Sequence, residues 1–423
     1  MTPSGWPRVR LKDLGTWFGG GTPSKSNGGF WTDGTVPWLS PKDMGPEVLA
    51  GTQDHITQDA VENSSVKRVP AGSVALVVRS GILERTLPVA LVPFDTTLNQ
   101  DMKAVAARPD IDARWIAWGL RASEQEILCT CRKTGTTVAS MEMPRLYEHT
   151  IPVPPLEEQR GIVDILEDHL SRLDASDSLL TTALRRLQVL HKSVLLDLIP
   201  DANAYPVHWN QSTVSEAGNV TLGRQRHPDW HNGPNMHPYL RVANVFEDRI
   251  DLSDVKEMHW PGDSFNRFRL KPGDLLLNEG QSPEFLGRPA MYTGTPVDIA
   301  FTNTLIRFQA NERVLPEFAL LVFRRHMHAG RFARESRITT NIAHLSASRL
   351  KPIEFPIPPF DEQKQLAGLA EQQLGDAARL GDQVRLLKLK SKVLRRALLG
   401  AAFSGHLTGR STDMEILEEM ARV

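Results

Sequence analysis

The sequence predicts two related domains of a mixed class, α+β or α/β, each followed by a long helix with an apolar heptad repeat. Three observations support this: the two halves of the chain share a repeat, each half has a proline-rich hinge, and a heptad pattern follows each hinge. The chain has 423 residues, of which 40% are hydrophobic and 23% charged, which fits several folded domains and excludes a wholly disordered protein.

The repeat is clearest at the two hinges. Residues 151–160 read IPVPPLEEQR and residues 355–364 read FPIPPFDEQK, at an offset of 204 positions. Weaker similarities upstream keep the same order in both halves, pairing 11–15 with 214–218, 36–39 with 237–240, and 69–74 with 270–275. The alternative is two unrelated domains with similar linkers, and the ordered series argues against it.

The repeat divides the chain into five predicted segments. They are an α/β domain at 1–150, a hinge and helix at 151–200, a second α/β domain at 201–354, a hinge and helix at 355–406, and a tail at 407–423. If a pseudo-twofold axis relates the two halves, the two helices pair as an antiparallel coiled coil, because their lengths match.

The first helix is predicted from Leu156 to Ile199, about 66 Å at ~1.5 Å per residue, and Pro200 ends it. Asp177 and His191 are the polar interruptions in its seam. The seam positions are Leu166, Leu170, Leu173, Asp177, Leu180, Leu184, Leu187, His191, Val194 and Leu198. An amphipathic surface helix is the alternative for either helix taken alone.

The second helix shows the same spacing, and Gly400 or Gly405 is the expected stop. Its predicted seam consists of Ala377, Leu380, Val384, Leu387, Ser391, Leu394 and Leu398. In the two domains, strands are predicted near 73–78 and 274–277, and helices near 112–128 and 316–330, at corresponding places of the repeat.

Motifs for chemistry are weak, and we predict no catalytic residue and no metal site in this chain. The loop at 19–26 lacks the glycine that a phosphate-binding loop needs before Lys25, and Pro23 removes a backbone donor. His227, His231 and His237 have no supporting cysteine or HExxH pattern. Cys129 and Cys131 are too close in sequence to cross-link a fold and fit a reducing compartment. A restriction-type nuclease pattern, Asp…Glu-x-Lys, is too degenerate to exclude, and no match stands out in this sequence.

The net charge of the whole chain is only −1, so any basic surface that could bind nucleic acid must be local. Between 321 and 351 the sequence has six arginines and one lysine against a single acidic residue, Glu335. A solvated helix face is the alternative, but uncompensated positive charge is typical of phosphate contact. The candidate DNA-binding residues are Lys25, Lys42, Arg79, Arg132, Lys133, Arg224, Arg226, Arg324, Arg325, Arg331, Arg334, Arg337 and Asn341.

With its doubled P-x-P-P-[LF]-[ED]-E-Q-[RK] hinge and long helices, the chain resembles the specificity subunits of type I restriction-modification systems. The opening at 6–15, Gly-Gly-Gly-Thr-Pro-Ser at 19–24, Phe30-Trp31 and Val-Pro-Trp-Leu at 36–39 are also similar to a target-recognition domain of that family. The second domain departs from this pattern, with Thr-Leu-Gly-Arg at 221–224 in place of the glycine-rich stretch.

The resemblance implies two target-recognition domains, each reading one half of a split double-stranded DNA target, with the helix pair setting the spacer between the half-sites. Because the two domains share little sequence, the target is expected to be asymmetric. The resemblance also implies that hinges and helices bind two methyltransferase subunits. The implied partner-binding residues are Pro154, Pro155, Glu158, Gln159, Pro358, Pro359, Glu362 and Gln363.

The same resemblance implies motor-nuclease subunits as further partners. It places S-adenosylmethionine, ATP and Mg on the partner subunits, leaving no cofactor and no catalysis in this chain. A cytoplasmic protein without a membrane span is expected. Two alternatives stay open: an enzyme that acts alone, and a coiled-coil scaffold or regulator that binds protein without reading DNA.

Overall fold

The computed structural model describes residues 5–133, 138–339 and 342–407. The chain forms two compact units, residues 1–180 with 386–423 and residues 181–385. Each unit contains one α/β domain and a part of each long helix, so the unit borders fall within the helices and differ from the five predicted segments. Among the described helices, none combines the length and the apolar character that a bilayer crossing demands.

The α/β domain of the first unit has two four-stranded sheets. The first is antiparallel, in the order Gly15–Gly19, Met102–Ala107, Ser73–Val77, Val89–Val92. The second has the order Asp54–Ile56, Val36–Leu39, Thr96–Leu98, Arg68–Val69, and its central pair is parallel. A separate antiparallel pair, Arg8–Arg10 with Thr150–Pro152, brings the start of the chain against the first hinge.

This domain has four α-helices among its described residues, and two of them, Ala113–Ala122 and Glu124–Cys131, lie in the region near 112–128 where a helix was predicted. The four helices span Gln58–Glu62, Ala113–Ala122, Glu124–Cys131 and Met143–Glu148. Ala113–Ala122 begins after Asp112, whose Oδ1 accepts a hydrogen bond from the Arg114 backbone at 2.8 Å, which satisfies a free N–H of the first turn. Trp115 and Trp118 lie on its buried face.

The α/β domain of the second unit repeats this design. Its four-stranded antiparallel sheet has the order Gly218–Leu222, Leu305–Ala310, Leu275–Asn278, Pro289–Met291. Its three-stranded sheet has the order Lys256–His259, Met236–Leu240, Ala300–Phe301. The remaining strands are the pair Asn210–Thr213 with Glu354–Ile357, the pair Val245–Phe246 with Arg249–Ile250, and the set Gly280–Gln281, Ile342–His344, Arg337–Thr339. The helices are Val214–Ala217, Ser264–Phe268, Pro316–His328, Arg331–Glu335 and Ala347–Leu350.

The predicted duplication is confirmed by matching pairings in the two domains. In both four-stranded sheets the order along the chain is first, fourth, second, third. The other sheet of each domain contains one parallel pair, formed by Val36–Leu39 in the first domain and by Met236–Leu240 in the second. Trp38 lies opposite Thr97 in one pair, and Tyr239 lies opposite Ala300 in the other. The weak similarity of 36–39 to 237–240 therefore marks the same structural position.

The two long helices span Leu156–Leu198 and Phe360–Ser404. Gly405, with a φ of 82°, follows the second helix, a conformation that glycine adopts without strain. Within the first unit the helices run antiparallel. The start of the first helix packs with the end of the second around Trp115 and Phe403, whose ring centroids are 4.4 Å apart, and Asp174 pairs with Arg395 further along.

The predicted seam of the second helix is wrong at two positions. Leu380 and Leu387 have half their surface exposed, whereas Gly381 is buried beside Val384. The seven-residue period is kept, but the less exposed positions lie one residue later than predicted, at 381 and 388 instead of 380 and 387. The sequence favoured Leu380 because leucine is apolar, but in the structure the neighbouring Gly381 occupies the buried position.

Candidate nucleic-acid and partner surfaces

Two predicted DNA-binding arginines, Arg324 and Arg325, are buried, and that prediction is wrong. Arg325 is 1% exposed, and its Nε donates to the Ile199 carbonyl oxygen at 3.0 Å. Arg324 is 8% exposed and donates from Nε to Glu247 at 2.9 Å. Removing either guanidinium from such partners would leave buried groups unpaired. Their partners lie far away in sequence, so a local charge count cannot find them.

Arg331 is also compensated, contrary to the expectation for this basic run. Its Nε lies 2.8 Å from a Glu354 carboxylate oxygen, and its Nη1 lies 2.6 Å from Glu335. The hydrogen bond to Glu354 raises the pKa of Arg331, while burial opposes that shift. Arg334 is exposed and has no acidic partner in the described part of the chain. The side chain of Arg337, and Asn341 as a whole, lie outside the described residues.

In the first domain, the five predicted DNA-binding cations differ in exposure and in whether they pair with an acidic residue. Lys25 and Lys133 are exposed, without an acidic partner among the described residues. Lys42 forms a 2.6 Å ion pair with Asp54. Arg79 is 60% exposed at the side chain, 4.0 Å from Asp101, and Arg132 donates to the Leu83 carbonyl oxygen at 3.4 Å. DNA contact by these residues stays a prediction.

In the second domain, Arg224 is held between aromatic rings. Its guanidinium carbon lies 4.0 Å from the Trp230 ring centre and 5.2 Å from that of Trp260, and its Nη1 donates to Ser264. Burial lowers the pKa of Arg224. This stacking fixes the orientation of the loop that carries Arg226, which is exposed.

Arg226 borders a cavity of about 560 Å³. Arg241 and Lys256, which the sequence analysis missed, also line it. Both form ion pairs with Asp254, and Lys256 Nζ lies 2.9 Å from Asp254 Oδ1. The carboxylate therefore lies between the two cations. No local pattern in the sequence singles them out, because they are 15 and 30 residues away from Arg226 and only folding brings the three together. Glu257 lines the same cavity, so Arg226 is the one of these cations with no acidic partner among the described residues, and it is the candidate for contact with a phosphate or the edge of a base.

At the hinges, the predicted partner residues separate into two groups. Gln159 and Gln363 are 0% and 1% exposed, so the prediction that they bind a partner is wrong. Pro154 and Pro358 are buried as well. Pro155, Glu158 and Pro359 are exposed and stay candidates. Glu362 is half-buried because it accepts hydrogen bonds from Trp209 Nε1 and His208 Nε2, both at 2.9 Å.

The two glutamines have the same role at corresponding places. Gln159 Nε2 donates to the Pro154 carbonyl oxygen at 2.8 Å, and its Oε1 accepts from the Asp112 backbone at 2.9 Å. Gln363 Nε2 donates to the Pro358 carbonyl oxygen at 2.9 Å, and its Oε1 accepts from the Leu315 backbone at 2.9 Å. Each amide thus ties a hinge to the start of a domain helix.

One group of possible metal ligands occurs in the described part of the chain, and it is not the one weighed from the sequence. His191, Glu247 and His328 place one ligand atom each within 4.8 Å of the others. His227 instead lies 3.2 Å from Asp229, and His237 stacks on Phe265.

Sequence comparison relates this architecture to known proteins. Residues 3–181 match the family model of the type I restriction modification DNA specificity domain. The EcoR124I/EcoR124II specificity subunit of Escherichia coli is 46% identical over 157 residues, which cover 37% of this chain and 39% of that protein. The EcoKI specificity subunit of E. coli K12 is 24% identical over 269 residues, covering 62% and 58%. The matches span less than two thirds of these relatives' own length.

Structural comparison extends over more of the chain. A structure reported under the assembly and conformational transition of the type I R-M system matches with a TM-score of 0.77 at 18% identity, covering 96% of this chain and 99% of that one. The HsdS subunit of Thermoanaerobacter tengcongensis matches with a TM-score of 0.60 at 18% identity, covering 96% and 98%. At these identities the likeness concerns the fold. Residues 3–181 are thus similar in sequence to the type I restriction modification DNA specificity domain, and nearly the whole chain shares its fold with these two structures.

Proposed function

We propose that this chain is the subunit of a type I restriction-modification complex that selects the DNA sequence. Each α/β domain reads one half of a split target, and the halves differ in sequence. The observation that supports this best is the duplication itself: the two domains share a strand order, yet their sequences differ, as in Gly-Gly-Gly-Thr-Pro-Ser at 19–24 against Thr-Leu-Gly-Arg at 221–224. Equal frames with unequal sequences suit recognition of two unequal half-sites.

The proposed role assigns catalysis to partners. Two methyltransferase subunits bind the exposed hinge residues and long helices, and motor-nuclease subunits complete the complex. S-adenosylmethionine, ATP and Mg bind to those partner subunits. This division requires access to cellular DNA and therefore the cytoplasm. Support comes from the match of residues 3–181 to the type I DNA specificity domain, and from hinges in which exposed prolines and Glu158 lie next to buried, hydrogen-bonded glutamines.

A binding selection tests the proposal. The full-length chain, assembled with its methyltransferase partner, is mixed with random double-stranded DNA, and the bound fraction is sequenced. We expect two short runs of fixed bases at a constant separation, with neither run the reverse complement of the other. Binding that enriches no sequence would refute the proposal and favour the alternative of a protein scaffold.

The same preparation tests the alternative of an enzyme that acts alone. The isolated chain is incubated with target DNA, S-adenosylmethionine, ATP and Mg²⁺. We expect no methyl transfer and no cleavage until the methyltransferase subunits, and for cleavage the motor-nuclease subunits, are added. Turnover by the chain alone would overturn the proposed division of labour.

A further inference from the structure

A cluster of two histidines and one carboxylate in the second unit has no part in DNA reading as proposed above. His191 lies on the first long helix, and His328 ends the helix Pro316–His328. Glu247 lies in the tight turn that joins Val245–Phe246 to Arg249–Ile250. Three separate elements therefore meet at one carboxylate, and His191 is one of the two residues that interrupt the apolar seam.

We propose that His191, Glu247 and His328 bind one divalent transition-metal ion of the zinc class. Imidazole nitrogen and carboxylate oxygen are the donors that zinc takes besides thiolate. His191 Nε2 lies 3.0 Å from Glu247 Oε1, and His328 Nε2 lies 3.1 and 3.0 Å from the two carboxylate oxygens. Ligands at ~2.0 Å from a tetrahedral ion are about 3.3 Å apart, close to the distances from each histidine to Glu247, and all three ligand atoms lie within 4.8 Å of one another.

The competing interpretation is a plain network of ion pairs centred on Arg324. Arg324 Nε donates to Glu247 Oε1 at 2.9 Å, and its Nη2 lies 3.3 Å from His191 Nε2. That nitrogen faces both a carboxylate oxygen and a guanidinium, and it cannot donate to the first while accepting from the second. One of its two contacts is therefore unsatisfied when no ion is bound.

A bound ion removes this conflict. It takes the lone pairs of both imidazoles, and Arg324 stays as a hydrogen-bond donor to the carboxylate that binds the ion. Metal-binding carboxylates are commonly held by such an outer donor.

The site also has room for a further ligand. His191, Glu247, Asp248 and Arg324 line a cavity of about 790 Å³ in the same unit. Three protein ligands leave one tetrahedral position free, and the cavity lets water or a small anion occupy it. An ion there would link the first long helix to the second α/β domain and stabilise the folded state.

Metal titration of the full-length, tag-free chain tests this proposal. After treatment with a chelator, Zn²⁺ is added alone and the bound metal is counted. We expect one equivalent per chain in the wild type and in the control variant His231→Gln, which changes an exposed histidine. His191→Gln and His328→Gln should each weaken binding by more than about tenfold. Wild-type affinity in both ligand variants, or no stoichiometric binding, would overturn the proposal.

Two further measurements do not depend on losing a ligand. Arg324→Gln removes the competing cation but keeps a donor for Glu247, so it should bind Zn²⁺ more tightly than the wild type. Equal or weaker binding in a variant whose circular dichroism is unchanged would favour the ion-pair network. Co²⁺ added to the wild type should give the visible absorption of a four-coordinate ion, and a spectrum identical to Co²⁺ in buffer would count against the site.

Discussion

Gln159 and Gln363 illustrate how a repeated motif can serve the fold instead of a partner. Both amides are saturated by backbone groups of a hinge and of the segment that opens a domain helix. The repeat of PPLEEQ and PPFDEQ thus preserves a structural joint, while the neighbouring exposed side chains are available to a partner.

We predict that Gln159→Leu and Gln363→Leu each destabilise the protein by at least about 2 kcal/mol, because buried backbone groups lose their partners. Urea-induced unfolding followed by circular dichroism measures this. Gln188→Leu, at an exposed position of the first long helix, is the control and should change little. Unfolding midpoints equal to that of the control would show that these amides do not hold the hinges.

His326 is a buried titratable group with a defined effect on stability. It is 0% exposed, and its Nε2 donates to the Glu354 carbonyl oxygen at 2.9 Å. Burial lowers the pKa of His326 to about 4, while the nearby Glu354 opposes that shift. The folded state therefore keeps this imidazole neutral at a pH where the unfolded chain protonates it.

The sign of the pH effect follows from that difference. Stability from neutral His326 is fully present above the unfolded pKa of about 6.5 and is lost as the pH falls from there towards 4. At about 1.4 kcal/mol per pKa unit, the loss approaches about 3 kcal/mol. Urea unfolding between pH 7 and pH 4.5 should show a shallower pH dependence for His326→Gln than for the wild type, and equal slopes would contradict this assignment.

At the residue scale, the sequence predicted where basic residues are concentrated but not which acidic residues pair with them. It located the basic helix 316–328, but Arg324 and Arg325 are paired with Glu247 and Asp201, which are distant in sequence. A charge count over 31 neighbouring residues, 321–351, has no access to such pairs. Arg241 and Lys256 were missed for the same reason, because only folding brings them beside Arg226.

The long helices show which features of an element are local. Their existence, their start after each hinge and their ends at Leu198 and Ser404 agree closely with prediction, because heptads, proline and glycine act within a few residues. The exact seam of the second helix was not predictable in this way. Which of two adjacent residues, Leu380 or Gly381, is buried depends on the surface that packs against them.

Glycines within the helices give a prediction about element stability. A Cβ at Gly161 would meet nothing within 4 Å, and one at Gly381 would meet only the Arg385 guanidinium, at 3.5 Å or more. We expect Gly161→Ala and Gly381→Ala to stabilise the protein by about 1 kcal/mol each, because alanine restricts the unfolded chain. Thermal unfolding measures this, with an expected rise of about 2 °C per substitution.

Gly119 supplies the matched contrast. A Cβ there would lie 2.9 Å from Ile151 and 3.1 Å from Phe403. Gly119→Ala should therefore lower the unfolding temperature, because overpacking outweighs the gain in helix propensity. If all three alanine variants shifted the temperature alike, helix propensity alone would decide and the described packing at Gly119 would be wrong.

At the scale of the whole molecule, the duplication was predictable because each half repeats the order of its landmarks. The pairing of strands was not, since parallel and antiparallel partners such as Trp38 and Thr97 are far apart in sequence. The internal repeat predicted two equal frames, and the matching sheets confirm them.

The resemblance implies that the long helices set the spacing between the two half-sites, and a change in helix length tests this. Inserting seven residues, one heptad, after Ala183 and after Leu387 lengthens each helix by about 10 Å at ~1.5 Å per residue and preserves the helix faces. We expect sequenced DNA from the binding selection to show the same half-sites at a longer separation. An unchanged separation in a folded, DNA-binding variant would show that the helices do not set it.

The central claim is that each domain reads its own half-site, and a substitution confined to one domain tests it most directly. Arg226→Gln is made in the second domain, assembled with the methyltransferase partner and taken through the same DNA selection beside the wild type. The account predicts weaker binding overall and relaxed base preference in one half-site, with the other half-site unchanged. Equal relaxation of both half-sites, in a complex that still binds and folds, would contradict it.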